Sequence, residues 1–401
     1  MRTYHDLFRT REFTPLFLTH TCHVAGQTVS GLALSTFVYA ATGSPLLSSL
    51  AMFGTSLAQM IGATFLLSAA DRLPPRAALT VLSLAFALGT AAQAVEGLPI
   101  GGIFGLLLAV GALASLGGGV RYGLLNEILS KDGYLLGRSV LNMASGATQI
   151  CGFALGGVLV TVFSARGTLL VGAGFYAAAA VCARLGLSGR PPRAAGRPSA
   201  AETWRNNALL WSSGPRRSVY LALWLPNGLV VGCESLYVPY APHLAGLLFA
   251  CGAVGMLAGD VLFGRFVPKA RRTGLAVPLL VLLAAPYAVF AVRPPLGVAV
   301  VAVVLATVGF AASLVLQERL MALTPDELSG HALGLHSSGM LTMQGVCAAL
   351  AGTLAERTSP GTAMALMAGL SLLVTCALAP GLRRAAVSAA EAEPEREPRP
   401  A

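Results

Sequence analysis

The sequence predicts an all-α integral membrane protein of twelve transmembrane helices, arranged as two pseudo-symmetric six-helix bundles. Three observations carry that prediction. The 401 residues are 55% hydrophobic and only 11% charged, the apolar residues fall in continuous helix-length stretches, and the basic residues between those stretches gather on one side. A soluble domain has roughly a quarter of its residues charged. This chain has too few charges to cover a water-facing surface, so lipid is the solvent for most of it.

Spanning a hydrocarbon core of about 30 Å takes about 20 apolar helical residues, because only a helix or a closed barrel pairs its own backbone groups in lipid. Barrel strands would alternate apolar and polar with period two, and these stretches do not. The spans lie near 14–41, 46–69, 77–95, 100–125, 140–163, 167–187, 218–241, 244–264, 274–292, 296–320, 331–355 and 361–380. Pro, Gly and Arg punctuation separates most of them, as at Gly43-Ser44-Pro45, Leu73-Pro74-Pro75 and Arg293-Pro294-Pro295. The first span is too long for a cleaved signal peptide and carries His20, His23 and Gln27 inside its apolar run. All seven cysteines fall within spans without a CxxC pair, and read as packing residues rather than disulfides or metal ligands.

Positively charged segments resist translocation, so Lys and Arg mark the cytoplasmic side. With the N-terminus inside and twelve crossings, all but Arg166, Arg293 and Arg357 of the 27 basic residues fall inside or at cytoplasmic helix ends. Losing one span in the middle would put the later basic loops outside. Both termini are therefore expected in the cytoplasm of a cell whose inner membrane holds the chain. The net charge of +10 follows from topology and attraction to anionic lipid, with no nucleic acid partner implied.

The longest polar interruption, 188–217, divides the chain into residues 1–187 and 218–384, each with six spans, and a tail at 385–401 whose Ala, Glu and Pro content predicts disorder. Within the linker, Ser199 and Glu202 have capping-box spacing, and Trp204, Ala208 and Trp211 share a helical face. A short amphipathic helix on the cytoplasmic membrane surface is expected there. The halves also repeat: Gly62, Arg72, Pro75 and Arg76 recur at Gly255, Arg265, Pro268 and Lys269, each 193 residues on, and the same offset takes Gly137-Arg138 to Gly330-His331. Copies related by an axis along the membrane normal, with a substrate path between them, account for that constant offset.

Ala70-Asp71-Arg72-Leu73-Pro74-Pro75-Arg76 resembles the loop signature GxLADRxGRR of the major facilitator superfamily, although Leu67 and Pro74 stand where that family prefers glycine. Arg9-Thr10-Arg11-Glu12-Phe13, Arg121 through Glu127, and Glu318-Arg319 through Gly330 extend the likeness over nearly the whole chain. They are similar to the branch that contains enterobactin exporters and macrolide efflux proteins. Gly152 through Gly157 keeps the glycines of that family's antiporter motif GPxxGG but not its proline. The resemblance implies an alternating-access transporter. It also implies a conformational latch in the loop after the second span, formed by Asp71, Arg72 and Arg76, with Asp260 and Arg265 as second-half counterparts. Cytoplasmic anchoring charges explain the arginines equally well but not Asp71, and Asp260 fits a structural salt bridge as well as a latch.

Glu234 is the most informative single residue, sixteen positions into the seventh span and so about 24 Å along its axis. An ionised carboxylate far from either interface costs about 2.5–3.5 kcal/mol, and such groups face the bundle interior or a watery cavity. Asn227, Glu234 and Tyr237 form a polar stripe at i, i+7 and i+10. His20, His23, Gln27 and Ser30 form another on the first span, within roughly 80 degrees at 100 degrees per residue. The resemblance places the first and seventh helices around a central cavity, so the two stripes are candidates for a substrate or proton pathway. The competing readings are a carboxylate solvated near the outer mouth and histidines held in packing contacts. Arg121, near the cytoplasmic end of the fourth span, matches a family position linked to proton movement; pairing with Glu127 or a lipid phosphate is the alternative.

GxxxG spacings at Gly101 and Gly105, Gly152 and Gly156, Gly228 and Gly232, and Gly255 and Gly259 predict close helix contacts within the bundle, and a monomer is expected. HExxH, DDxxD and GxSxG are absent, so no enzymatic constellation, metal or cofactor is expected. The function predicted is proton-coupled efflux of a small molecule such as a drug, siderophore or secondary metabolite. Import of a nutrient by the same machinery is the alternative, with a receptor or membrane enzyme the remaining class.

Overall fold

Apolar rows turn outward in this fold. In a computed structural model of the chain, α4 (Pro75–Gln93) buries Ser83, Thr90 and Gln93, whereas Val81, Leu84 and Leu88 are exposed, Leu88 by 70%. A helix in water would show the reverse arrangement. The exposed leucine and valine row is stable only against lipid, as composition requires.

The structure describes residues 4–70, 73–129, 131–191, 200–268, 272, 274–325 and 328–392, with the side chains at 4, 60–70, 131–132, 135, 200–203, 330 and 390–392 outside that description. The predicted latch residues Asp71 and Arg72, the capping pair Ser199 and Glu202, and the end of the tail fall outside it. Among the described residues the regular structure is entirely helical. α1 (Tyr4–Arg9), α2 (Phe13–Thr42), α3 (Pro45–Ala70) and α4 are followed by α5 (Ile100–Ile128) and α6 (Lys131–Gly186). α7 (Ala200–Ser212) leads to α8 (Gly214–Ser235), α9 (Tyr237–Tyr240), α10 (Ala245–Phe266) and α11 (Ala276–Ala284). α12 (Leu296–Val308), α13 (Ala312–Ala322), α14 (Ser329–Arg357) and α15 (Pro360–Ala392) complete the chain.

By length and composition, nine helices among the described residues can cross a membrane. One of them, Leu136–Gly186, contains two crossings, because Ser164 breaks it at φ 64° and ψ 168°. With α3 and the shorter apolar stretch Ala276–Val292, the arrangement is consistent with twelve spans. α2 ends where Gly43 takes the left-handed conformation, φ 65°, and its N–H caps the Tyr39 carbonyl, a geometry that favours glycine. The ninth span departs from a uniform α-helix: α11 tightens into a 3-10 helix over Ala285–Val292. Pro286 supplies no N–H to the α pattern there and crowds the preceding turn. α15 continues through Ala392, past Arg384, on an alanine-rich run of high helix propensity.

Two compact units result: Met1–Arg197 with Tyr237–Ala250, and Pro198–Leu236 with Cys251–Ala401. In the first, α2 packs along both halves of α6. Leu16, Leu116, Val120, Leu124 and Leu141 build one apolar cluster, and Phe86, Ala87 and Tyr176 another. Gly152 and Gly156 of α6 lie on Thr28 and Leu32 of α2, the close approach expected of that GxxxG pair. Arg190 clasps this unit, donating to Glu12 at 2.7 Å and lying 3.8 Å from Glu127, while Ser188 also donates to Glu12. The clasp is partly solvated, so Arg190→Ala should lower stability by no more than about 1 kcal/mol, read as a small fall in the melting temperature of the detergent-solubilised protein. A fall several times larger would mean that the clasp holds the first unit together.

In the second unit α8 packs against α14 and α15. Tyr220, Trp224 and Trp211 stack in one group, Tyr220 and Trp224 at 5.2 Å and Trp211 and Trp224 at 5.7 Å. The Trp224 indole donates to the His336 carbonyl at 3.0 Å. The linker helix α7 is tied to this unit through Trp211 and through a 2.7 Å hydrogen bond between His331 Nε2 and Asn207 Oδ1. Trp204, predicted to share a face with Trp211, is 75% exposed. Only the end of the helix turns its aromatic residue into the protein.

Candidate functional site

The first-span stripe divides between two neighbours. His20 is buried, and its Nε2 lies 2.7 Å from Ser145 Oγ and 3.2 Å from the Leu141 carbonyl, both on α6. Ser145 itself donates to the Leu141 carbonyl at 3.0 Å, so the shared proton is assigned to Nε2, and Nδ1 has no partner among the described residues. His23, three residues on, sits edge-on to Phe86 at 4.9 Å and beside Tyr176 at 5.2 Å. Ser30 packs onto α6 at Gly172, where a side chain would collide with its hydroxyl. Gln27 alone of the four is exposed.

Arg121 of α5 joins this cluster, close enough for its charge to act on both imidazoles. Its residues of origin are widely separated in sequence, yet α2, α4, α5 and α6 bring His20, His23, Phe86, Arg121, Ser145 and Tyr176 into one region of the first unit. Among the described residues Arg121 makes no ion pair or hydrogen bond, and its Nε is buried without a partner. Glu127, the partner offered by sequence proximity, faces Arg190 instead.

In the second unit Asn227 accepts a hydrogen bond from Gln344 of α14 at 3.1 Å. Glu234 lies seven residues further along α8, about 10 Å up the axis. Its carboxylate is half-buried and makes no hydrogen bond or ion pair among the described residues. The neighbouring Cys233 points into α15, donating to the Met364 carbonyl at 3.4 Å, so consecutive side chains leave the helix on different faces. α8 then ends at Ser235. Leu236 closes it with its N–H on the Cys233 and Glu234 carbonyls, and Pro239 cannot donate to the Ser235 carbonyl that a continuing helix would present. The face on which Tyr237 was to align with Asn227 and Glu234 is therefore interrupted. Tyr237 is buried against Phe249 at 4.8 Å and groups with the first unit.

Of the latch candidates within the described residues, Arg76 is half-buried with Nε unpartnered, and Asp260 and Arg265 are exposed and make no ion pair with another described residue. The observed bridge at that end is Arg272 to Glu318, 2.9 Å, with Arg272 also donating to the Gly264 and Val267 carbonyls. Sequence reasoning missed Arg272, Gln344 and Ser145. Gln344 was discoverable as a lone amide in the apolar run Met340–Val346, whereas Ser145 carries no local signal.

A transmembrane fold of this organisation is shared with solved transporters. A POT family transporter in complex with 5-aminolevulinic acid aligns with a TM-score of 0.74 and 10% identity, covering 94% of this chain and 96% of that one. The nucleoside transporter NupG aligns at 0.75 and 11% identity over 92% of this chain and 99% of its own. A bacterial homologue of the human lysosomal transporter Spinster, inward-facing and unoccupied, aligns at 0.66 and 14% identity over 98% and 99%. At such identities the likeness concerns the fold. No curated protein matches the sequence. The sequence profile of the Major Facilitator Superfamily, however, matches residues 16–243, more than half of the chain and the segment that carries His20, His23, Arg121 and Glu234. With helical spans, outward apolar rows and that match in agreement, the chain belongs to the Major Facilitator Superfamily.

Proposed function

We propose that this chain is a secondary active transporter that exports a small, partly apolar molecule by alternating access, driven by protons moving the opposite way. The observation that carries the reading is Glu234: a half-buried carboxylate in a spanning helix with no partner among the described residues, one residue before the helix breaks. Proton coupling needs a group that gains and loses its proton as access alternates, and a carboxylate locked in a salt bridge would be held in one state. Asn227, His20, His23, Gln27, Tyr237 and Arg121 supply further polar groups along the proposed pathway. The resemblance to enterobactin and macrolide exporters favours outward movement.

In this reading residues 1–187 and 218–384 are the two rocking bundles, joined by 188–217, and Asp71, Arg72, Arg76, Asp260 and Arg265 act as latches between states. The protein works as a monomer in the inner membrane with both ends cytoplasmic. The test of activity is transport in proteoliposomes: an imposed pH gradient should drive flux of at least one compound from a broad panel, and a protonophore should abolish it. No gradient-dependent flux for any compound would overturn the coupling.

The orientation has its own expected result. Single cysteines at Arg166→Cys and Arg293→Cys, in a background lacking the seven native cysteines, should react with an impermeant maleimide added outside intact cells, while a cysteine at Arg190 should stay shielded until the membrane is opened. The opposite pattern would invert the topology.

A further inference from the structure

Arg121 is a charge that the described protein does not answer. It lies on α5 seven residues before Ile128, about 10 Å in from the helix end, with Val120 and Leu124 beside it in the apolar cluster. Three described carboxylates of the first unit face other arginines: Glu12 and Glu127 face Arg190, and Glu96 faces Arg166 at 3.3 Å. Asp6 lies on α1, a separate helix at the start of the chain. Its polar company includes His20 and His23, neither of which supplies a negative charge. Arg121 is half-buried with its Nε enclosed; a charge so placed without a counter-charge weakens a fold, and a guanidinium does not escape by giving up its proton. Since no described residue supplies the counter-charge, a molecule that binds can bring it.

The geometry suits an oxyanion. A guanidinium presents a planar fork of N–H donors that matches carboxylate and phosphate oxygens. Here the Nε–H end of that fork is buried and unused. His20 is held in place by Ser145 and Leu141 and His23 by Phe86 and Tyr176, so the surroundings of Arg121 are fixed before any ligand comes. We propose that Arg121 is the anchor for an oxyanion, so that the molecule this transporter moves carries a carboxylate or phosphate group. This rests on the transport reading above and narrows its substrate class.

The test is binding, which is separable from flux. The full chain is placed in phosphatidylcholine nanodiscs, and its melting temperature is followed by tryptophan fluorescence at constant ionic strength. The probes are benzoate, phenyl phosphate and inorganic phosphate, with benzamide and benzylammonium as neutral and cationic counterparts. At least one anion should raise the melting temperature saturably while benzamide and benzylammonium do not. Arg121→Gln should weaken that anion by about thirtyfold or more, and Arg121→Lys should keep part of the effect.

Without ligand, Arg121→Gln should melt no lower than the parent, since an unanswered charge has been removed; a structural role would lower it. An anion effect that survives Arg121→Gln, equal stabilisation by the neutral or cationic probe, or no effect of any anion overturns the proposal. A further arm replaces phosphatidylcholine with phosphatidylglycerol. Stabilisation by that lipid alone, lost in Arg121→Gln, would make a lipid headgroup the occupant and overturn the substrate assignment. Flux in proteoliposomes that is indifferent to Arg121 would sink the anion and leave transport standing, whereas Arg121-dependent binding with no flux of any compound would do the reverse.

Discussion

Glu234→Gln is expected to abolish proton-driven flux in proteoliposomes while leaving substrate exchange intact. The amide keeps the size and hydrogen-bonding shape of the protonated acid but cannot release a proton. With the vesicle interior acidic, outward proton movement should drive inward accumulation of substrate by the parent protein. In the variant that component should fall on the order of tenfold or more, equivalent to about 1.4 kcal/mol or more of lost coupling. Exchange of labelled for unlabelled substrate needs no net proton transfer and should continue. The division between the two assays is what a coupling residue produces; a residue that merely shapes the pathway would depress both.

The same variant should be no less stable than the parent, because among the described residues Glu234 makes no ion pair or hydrogen bond that glutamine would forfeit. Asn227→Ala provides the contrast. It breaks the hydrogen bond from Gln344 and leaves that amide half-buried, at a cost of about 1–3 kcal/mol, but should leave flux responsive to the gradient. If Glu234→Gln retains full gradient-driven flux, protons couple elsewhere or not at all.

The helical framework was legible because lipid enforces a local rule: the chain must satisfy its backbone within each apolar segment. The first span, predicted near 14–41, is Phe13–Thr42, and the break at Ser164 falls between the fifth and sixth predicted spans. Partnerships were far less legible. His20 meets Ser145 across 125 positions, and Arg190 meets Glu12 across 178, so neither bond leaves a local trace. Sequence proximity pointed the other way for Arg121, since Glu127 is close along the chain but its carboxylate faces Arg190. The stripe through Tyr237 failed for a local reason that was visible, Pro239, whose effect on the preceding turn ends α8 at Ser235. Periodicity assumes a continuous helix, and one proline changes every register beyond it.

Glycine spacing shows the same limit and gives a second large effect. Gly259→Leu should destabilise the folded protein by about 1–3 kcal/mol, read as a lower melting temperature in detergent. A Cβ at Gly259 would lie 2.5 Å from the Val308 carbonyl, and one at Gly255 2.5 Å from that of Val304. These are backbone atoms of a neighbouring span, so α10 and α12 must separate to admit any side chain. A flexible neighbour could swing aside, but a carbonyl in a helix cannot. Gly101 and Gly105 have the identical spacing, yet a Cβ at either would meet nothing within 4 Å. Gly101→Leu and Gly105→Leu should therefore stay within about 0.5 kcal/mol of the parent, and equal losses at both pairs would show that glycine acts through helix propensity rather than through contact. Close approach belongs to the glycines whose face meets another helix, and spacing alone does not reveal which face that is.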